Sequence, residues 1–192
     1  TCSSSYTWNG QTYTSSGVYT GTTENCVTQE LNLTITPLSA NLSLEVFLDG
    51  YYTNSSNPAA MTAARYNNLV ASGSTTPGAA TDVDVITVEL RSPYNLDVVA
   101  YSVSPILQTN GSVQCVFPEG ALGGSFYIVV KHRAAIPLWS ANPILISYGS
   151  AYSFVDNQAS SYTDGDPVYP SMHHLIPGPL YGMWMGELNY DS

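Results

Sequence analysis

Leu42, Leu44, Val46 and Leu48 alternate with Ser43, Glu45 and Phe47, which is the two-residue period of a half-buried strand. The same period returns where Asp84, Ile86, Val88 and Leu90 face one way and Val83, Val85, Thr87 and Glu89 the other. It returns again in Phe126, Ile128 and Val130 against Tyr127, Val129 and Lys131. Ile106 to Phe117 reads as a hairpin turning at Asn110-Gly111, and Tyr6 to Tyr13 as a smaller one turning at Asn9-Gly10. Shorter strands are expected at Pro143 to Ser147 and Tyr152 to Val155. No apolar stripe of helical period runs through the chain. Short strands separated by Gly, Pro and Asn turns predict an all-β protein, an antiparallel β-sandwich preceded by a small β-rich unit. The expected divisions are 1–37 for the small unit, 38–162 for the sandwich, and 163–192 for a Pro- and Gly-rich strap laid over its surface.

Charge is scarce: 4 Lys+Arg stand against 14 Asp+Glu in 192 residues, a net charge of −10. A phosphate backbone would be repelled, which excludes nucleic acid as a partner. No uncharged run has the character of a membrane-spanning helix. Polarity comes from 24 Ser and 18 Thr, and Lys131 is the only lysine. A hydroxyl-rich, lysine-poor exterior is the composition of secreted adhesive or wall-associated modules, so an extracellular or cell-surface location is expected. Thr1 opens in the middle of a strand-like pattern, as expected of a segment cut from a longer chain.

The three cysteines cannot all pair within the chain. Cys2 and Cys26 flank the small unit, where a disulfide would remove about 3 kcal/mol of unfolded-chain entropy. Cys115 shares a strand face with Val113 and Phe117 and reads as a buried thiol. Asp82 and Asp84 fall on one strand face; turn capping and solvation are preferred there to a shared cation. Lys131 or Arg133 is expected to pair with Glu89 or Asp97 across a sheet. Tyr51 and Tyr52 offer flat apolar faces with polar edges, suited to stacking on sugar rings. Catalytic signatures are missing: there is no Gly-x-Ser-x-Gly elbow, His-Glu-x-x-His, Cys-x-x-Cys or phosphate-cradling glycine loop.

Three stretches carry a resemblance. "SSYTWNGQTYTSSGVYTGTTENCVTQELNLTI" resembles a short repeat of large, secreted, multi-domain surface proteins of Bacteroidota-type bacteria. The segments "LSLEVFLDGYY", "TDVDVITVELRS" and "GGSFYIVVKHRAAIPLWSANPILIS" are similar to a module near the carboxyl ends of such proteins. In that module Lys131, His132 and Arg133, followed by Trp139, form a recurring structural signature. The last stretch, "YGMWMGELNYDS", resembles the join to a dockerin-like calcium loop. The resemblance implies export, a non-catalytic role and a sandwich similar to transthyretin and collagen-adhesin B domains. It also implies calcium as a cofactor, with Glu187, Asn189 and Asp191 at the first three ligand positions of an EF-type loop. Ser192 stands where that loop has Gly, and the remaining ligand positions lie past the last residue.

The function expected from all this is a non-enzymatic extracellular structural or adhesive module, a subunit of a surface fibre whose neighbouring copies join by strand pairing. The alternative is a carbohydrate-binding accessory module of a larger secreted enzyme or adhesin, with polysaccharide as the partner and Tyr51 and Tyr52 as the contacts.

Overall fold

The structure, a computed structural model, describes residues 5–35, 38–53, 60–64, 78–162, 172–175 and 179–185. The chain divides into two compact units between Ser39 and Ala40. Among the described residues it is all-β, with three single turns of 3₁₀ helix and no α-helix.

The first unit is two hairpins. β1 (Tyr6–Trp8) pairs with β2 (Gln11–Tyr13), and β3 (Gly17–Glu24) with β4 (Val27–Leu33), both antiparallel. Asn9 and Gly10 both take positive φ, as a two-residue turn between right-twisted strands requires. The second hairpin turns through Asn25 and Cys26, also at positive φ. No described residue of this unit is fully buried. Rings substitute for a core: Tyr13 lies 4.1 Å from Tyr19 and 6.5 Å from Trp8, centroid to centroid. The Trp8 indole passes so close over Gly21 that a Cβ there would meet it at 2.6 Å, which explains a glycine inside a strand. Cys26 is a free, exposed thiol, and Cys2, its expected disulfide partner, lies outside the described residues.

The second unit contains β5 (Ser39–Glu45), β6 (Asp82–Val85), β7 (Thr87–Arg91), β8 (Val99–Val103), β9 (Ile106–Gln108) and β10 (Ser112–Pro118). These are followed by β11 (Ser125–Lys131), β12 (Leu138–Trp139), β13 (Ile144–Leu145), β14 (Ser150–Ser153), β15 (His173–His174) and β16 (Tyr181–Gly182). One sheet has the order β12-β11-β7-β8, with β13 also pairing β11, and a second has the order β10-β5-β14. Leu42 and Leu44 of one sheet and Val88, Leu90, Ile128 and Val130 of the other meet in a single core, in a sandwich-like arrangement. Val113, Cys115 and Phe117 join it from β10, each about 1% exposed, so the expected inward face of that strand is correct. Burial pushes the Cys115 thiol up to about 12 and leaves it unreactive.

Three local expectations change. β9 and β10 are joined by a turn with Gly111 at positive φ, yet they are not each other's ladder partners: β9 pairs with β6 and β10 with β5. The chain bends between sheets there, and a bulge between Asp82 and Asp84 lets β6 follow. The pairing is also not purely antiparallel, since β14 runs parallel to β5, Tyr152 opposite Leu44. The strap, finally, does not merely lie over the surface. Met172, Leu175 and Met183 are buried in the core, and Met183 exchanges backbone hydrogen bonds with Phe47 and Asp49.

Leu90 and Ile128 are cross-strand partners with no solvent exposure. Replacing Leu90 by Ala is expected to cost about 2–5 kcal/mol, because the sheet-on-sheet core cannot collapse around the lost volume. Equilibrium urea denaturation measures it.

Candidate functional site

The ladder between β7 and β11 places Arg91 opposite Tyr127, Glu89 opposite Val129, and Thr87 opposite Lys131. All six project from the face away from the core, since Leu90, Ile128, Val88 and Val130 take the inner positions. Glu89 becomes the hub of that outer face. Lys131 Nζ donates to its Oε1 at 2.6 Å, while Arg91 Nε and Nη2 both reach its Oε2 at 2.7 Å. Burial raises the Glu89 pKa, but the hydrogen bonds from Lys131 and Arg91 outweigh it and hold the carboxyl below its ordinary range. The expected pairing of Lys131 with Glu89 is therefore present.

Arg133 pairs with a different carboxylate. Its Nη2 lies 2.5 Å from Oδ2 of Asp84, which has no solvent exposure and also receives His132 Nε2 at 2.9 Å and the Val85 N–H at 2.8 Å. Asp84 is thus a buried anion and not a solvated turn residue; only Asp82 caps a turn, accepting the Ala79 N–H at 2.9 Å. Burial alone would raise the Asp84 pKa, but Arg133, His132 and the Val85 amide together lower it. His132 Nδ1 accepts the Ala134 N–H at 3.3 Å, so the ring carries its proton on Nε2 and gives it to Asp84. Both ring nitrogens are engaged, and the side chain is sealed from solvent. This histidine locks the end of β11 to β6 and has no nitrogen left to exchange protons with a substrate.

Beside the Glu89 hub, the outer face opens into a cleft of about 290 Å³ lined by Arg91, Leu96, Asp97, Tyr127, Trp139 and Tyr162. Each wall is fixed from behind. Arg91 Nη1 donates to the Leu96 carbonyl at 2.8 Å and holds the 92–98 loop. The same guanidinium lies 5.2 Å over the Trp139 ring, whose edge contact with Tyr127 spans 6.2 Å. Tyr162 is fastened by its N–H to the Trp139 carbonyl, next to the bridge between Ser140 and Ser161. The Tyr127 and Tyr162 hydroxyls and the Asp97 carboxylate form no hydrogen bond with another described residue.

No family model, curated protein or solved structure matches this chain.

The sequence-predicted residues fall into three groups. Lys131, His132, Arg133 and Trp139 are brought together around Glu89, Asp84 and Arg91, so the signature stretch is a set of internal fastenings. Tyr51 and Tyr52 are not open platforms: both are half-buried against the core. Tyr51 meets His132 edge-on at 6.0 Å, close enough to feel the Arg133 guanidinium, while Tyr52 packs edge-on against Phe47 at 5.7 Å. Glu187, Asn189 and Asp191, with the calcium expected there, lie outside the described residues. Among the described residues no group of three or more His, Cys, Asp or Glu is gathered as a metal site. Sequence reasoning missed Arg91, Tyr127 and Tyr162 as cleft residues. A signal was available in part, because the alternation that buries Ile128 turns Tyr127 outward.

Asp84 and Glu89 both have lowered folded-state pKa values, so the stability they contribute is complete above the ordinary carboxylate range and is lost as pH falls through and below it. Urea midpoints are expected to hold from neutral pH to about pH 5 and to fall below about pH 4. Glu89→Gln should be less stable than the parent at neutral pH, with the gap closing as the acid limb is reached.

Proposed function

We propose that this chain is a non-enzymatic structural or adhesive module working outside the cell, built to present surfaces and not to turn over a substrate. The observation that carries the reading is the internal use of its reactive charge. Lys131, Arg91 and Arg133 are committed to Glu89 and Asp84, His132 has both nitrogens occupied, and the Cys115 thiol is buried. Arg65, the fourth cation, lies outside the described residues. What faces outward is largely neutral. The outer face of the β10-β5-β14 sheet carries Ser43, Ser112, Gln114, Ala151 and Ser153 around Glu45. The single lysine and the likeness to secreted Bacteroidota-type surface proteins support export.

The sheet edges support self-assembly. β8 ends the order of the larger sheet, has no Lys, Arg or Pro among its five residues, and exposes Val99 with Val98 just before it. Natural edge strands are usually blunted by such charges or prolines, and an unblunted edge accepts a strand from another chain. No helix among the described residues is long and apolar enough to cross a membrane.

Multi-angle light scattering and negative-stain microscopy of the whole chain across a concentration series test the assembly. Concentration-dependent oligomers or short fibres are expected, and Val99→Lys should reduce them to monomers. A parent chain that stays monomeric at high concentration would remove strand-paired assembly from the reading.

A further inference from the structure

The geometry points to the Arg91–Trp139 cleft as a binding site for a neutral hexopyranose unit of a polysaccharide. This deepens the adhesive reading by naming its ligand, and it rests on that reading for its biological setting. Three rings, Tyr127, Trp139 and Tyr162, surround a cleft just under the roughly 300–1,000 Å³ typical of drug-sized ligand sites, a size for one sugar ring. Aromatic walls with a polar rim suit a sugar, which has apolar C–H faces and a hydroxyl edge. The rim is supplied by the Tyr127 and Tyr162 hydroxyls and the Asp97 carboxylate, which have no other described partner. Two are hydroxyls that donate or accept and one is a carboxylate that accepts only, a set able to pair with the hydroxyls of a sugar.

Charge narrows the ligand further. A cationic ligand would take the face of an indole, but on Trp139 a cation–π partner is already present in Arg91. An anionic ligand would call on that guanidinium, three of whose five N–H groups are already directed at Glu89 and the Leu96 carbonyl. It would also approach Asp97 and a chain of net charge −10. An anion is opposed on both counts and a cation finds the indole face already taken, so a ligand whose hydroxyls pair with Asp97 and the two tyrosines fits the lining best. Because the walls are fastened through Arg91, Ser140 and Ser161, the rings lose little freedom on binding.

Affinity electrophoresis of the whole chain tests this, with gels containing a neutral β-glucan, a neutral galactomannan, a neutral α-glucan or a polyuronate. Retardation by at least one neutral polymer and none by the polyuronate is expected. Tyr162 and Asp97 are exposed, so Tyr162→Ala and Asp97→Ala should keep the parent's melting temperature while weakening binding about tenfold or more. Tyr94→Ala removes a ring that is 97% exposed but lies outside the cleft, and should leave binding unchanged. The inference is overturned if no neutral polymer retards the chain or if the polyuronate does. It is equally overturned if binding survives Tyr162→Ala and Asp97→Ala but is lost on changing Tyr51 and Tyr52. Release of reducing ends that disappears in the cleft variants would support the cleft and overturn the non-enzymatic reading instead.

Discussion

The constraint on which the rest depends is the placing of two carboxylates, Asp84 and Glu89, inside a protein with almost no cations. A buried anion without a partner is costly, and one with several well-directed donors is tolerated. Here one short run of chain, Lys131-His132-Arg133, supplies donors to both. Side chains alternate at the end of β11, so Lys131 points outward to Glu89; the two residues that follow leave the strand and reach Asp84. The larger sheet is thereby tied to β6 by charge as well as by packing. Arg91 extends the tie from Glu89 to Trp139, which makes the walls of the cleft part of the same connected set.

Much of the fold was legible because the pattern is local. Alternation along residues 42–48, 83–90 and 126–131 found the inner faces of β5, β7 and β11, and Asn9-Gly10 found its turn. Phe47 was expected to face away from Leu48, yet both are buried, because the strand ends at Glu45 and alternation no longer applies. Which strands pair was not legible. The parallel partnership of β14 with β5 and the separate partners of β9 and β10 are set by the bend between sheets, far from any local signal.

The site was legible in pieces. Lys131 and Glu89 were paired from opposite charge and strand position, and Arg133 was assigned the wrong kind of partner because Asp84 read as a solvated turn residue. Tyr51 and Tyr52 drew attention as adjacent aromatics, but their half-buried contacts with His132 and Phe47 give them packing roles. The cleft rings come from β11, β12 and the segment after a 3₁₀ turn at Gln158–Ser160. Their convergence depends on the Ser140–Ser161 bridge and on Arg91, neither of which has a sequence signature.

The pairing of Leu42 with Ser150 joins residues more than a hundred positions apart, and Met183 reaches back to Phe47 across a longer span still. Such distant partners make for slow folding, since chain closure must precede the contacts that reward it. As the chain emerges from the ribosome, β5 has to wait for more than a hundred further residues before its second neighbour, β14, arrives. The β10-β5-β14 sheet therefore closes late, and its maturation is timed by the arrival of β14 and not by the early strands alone.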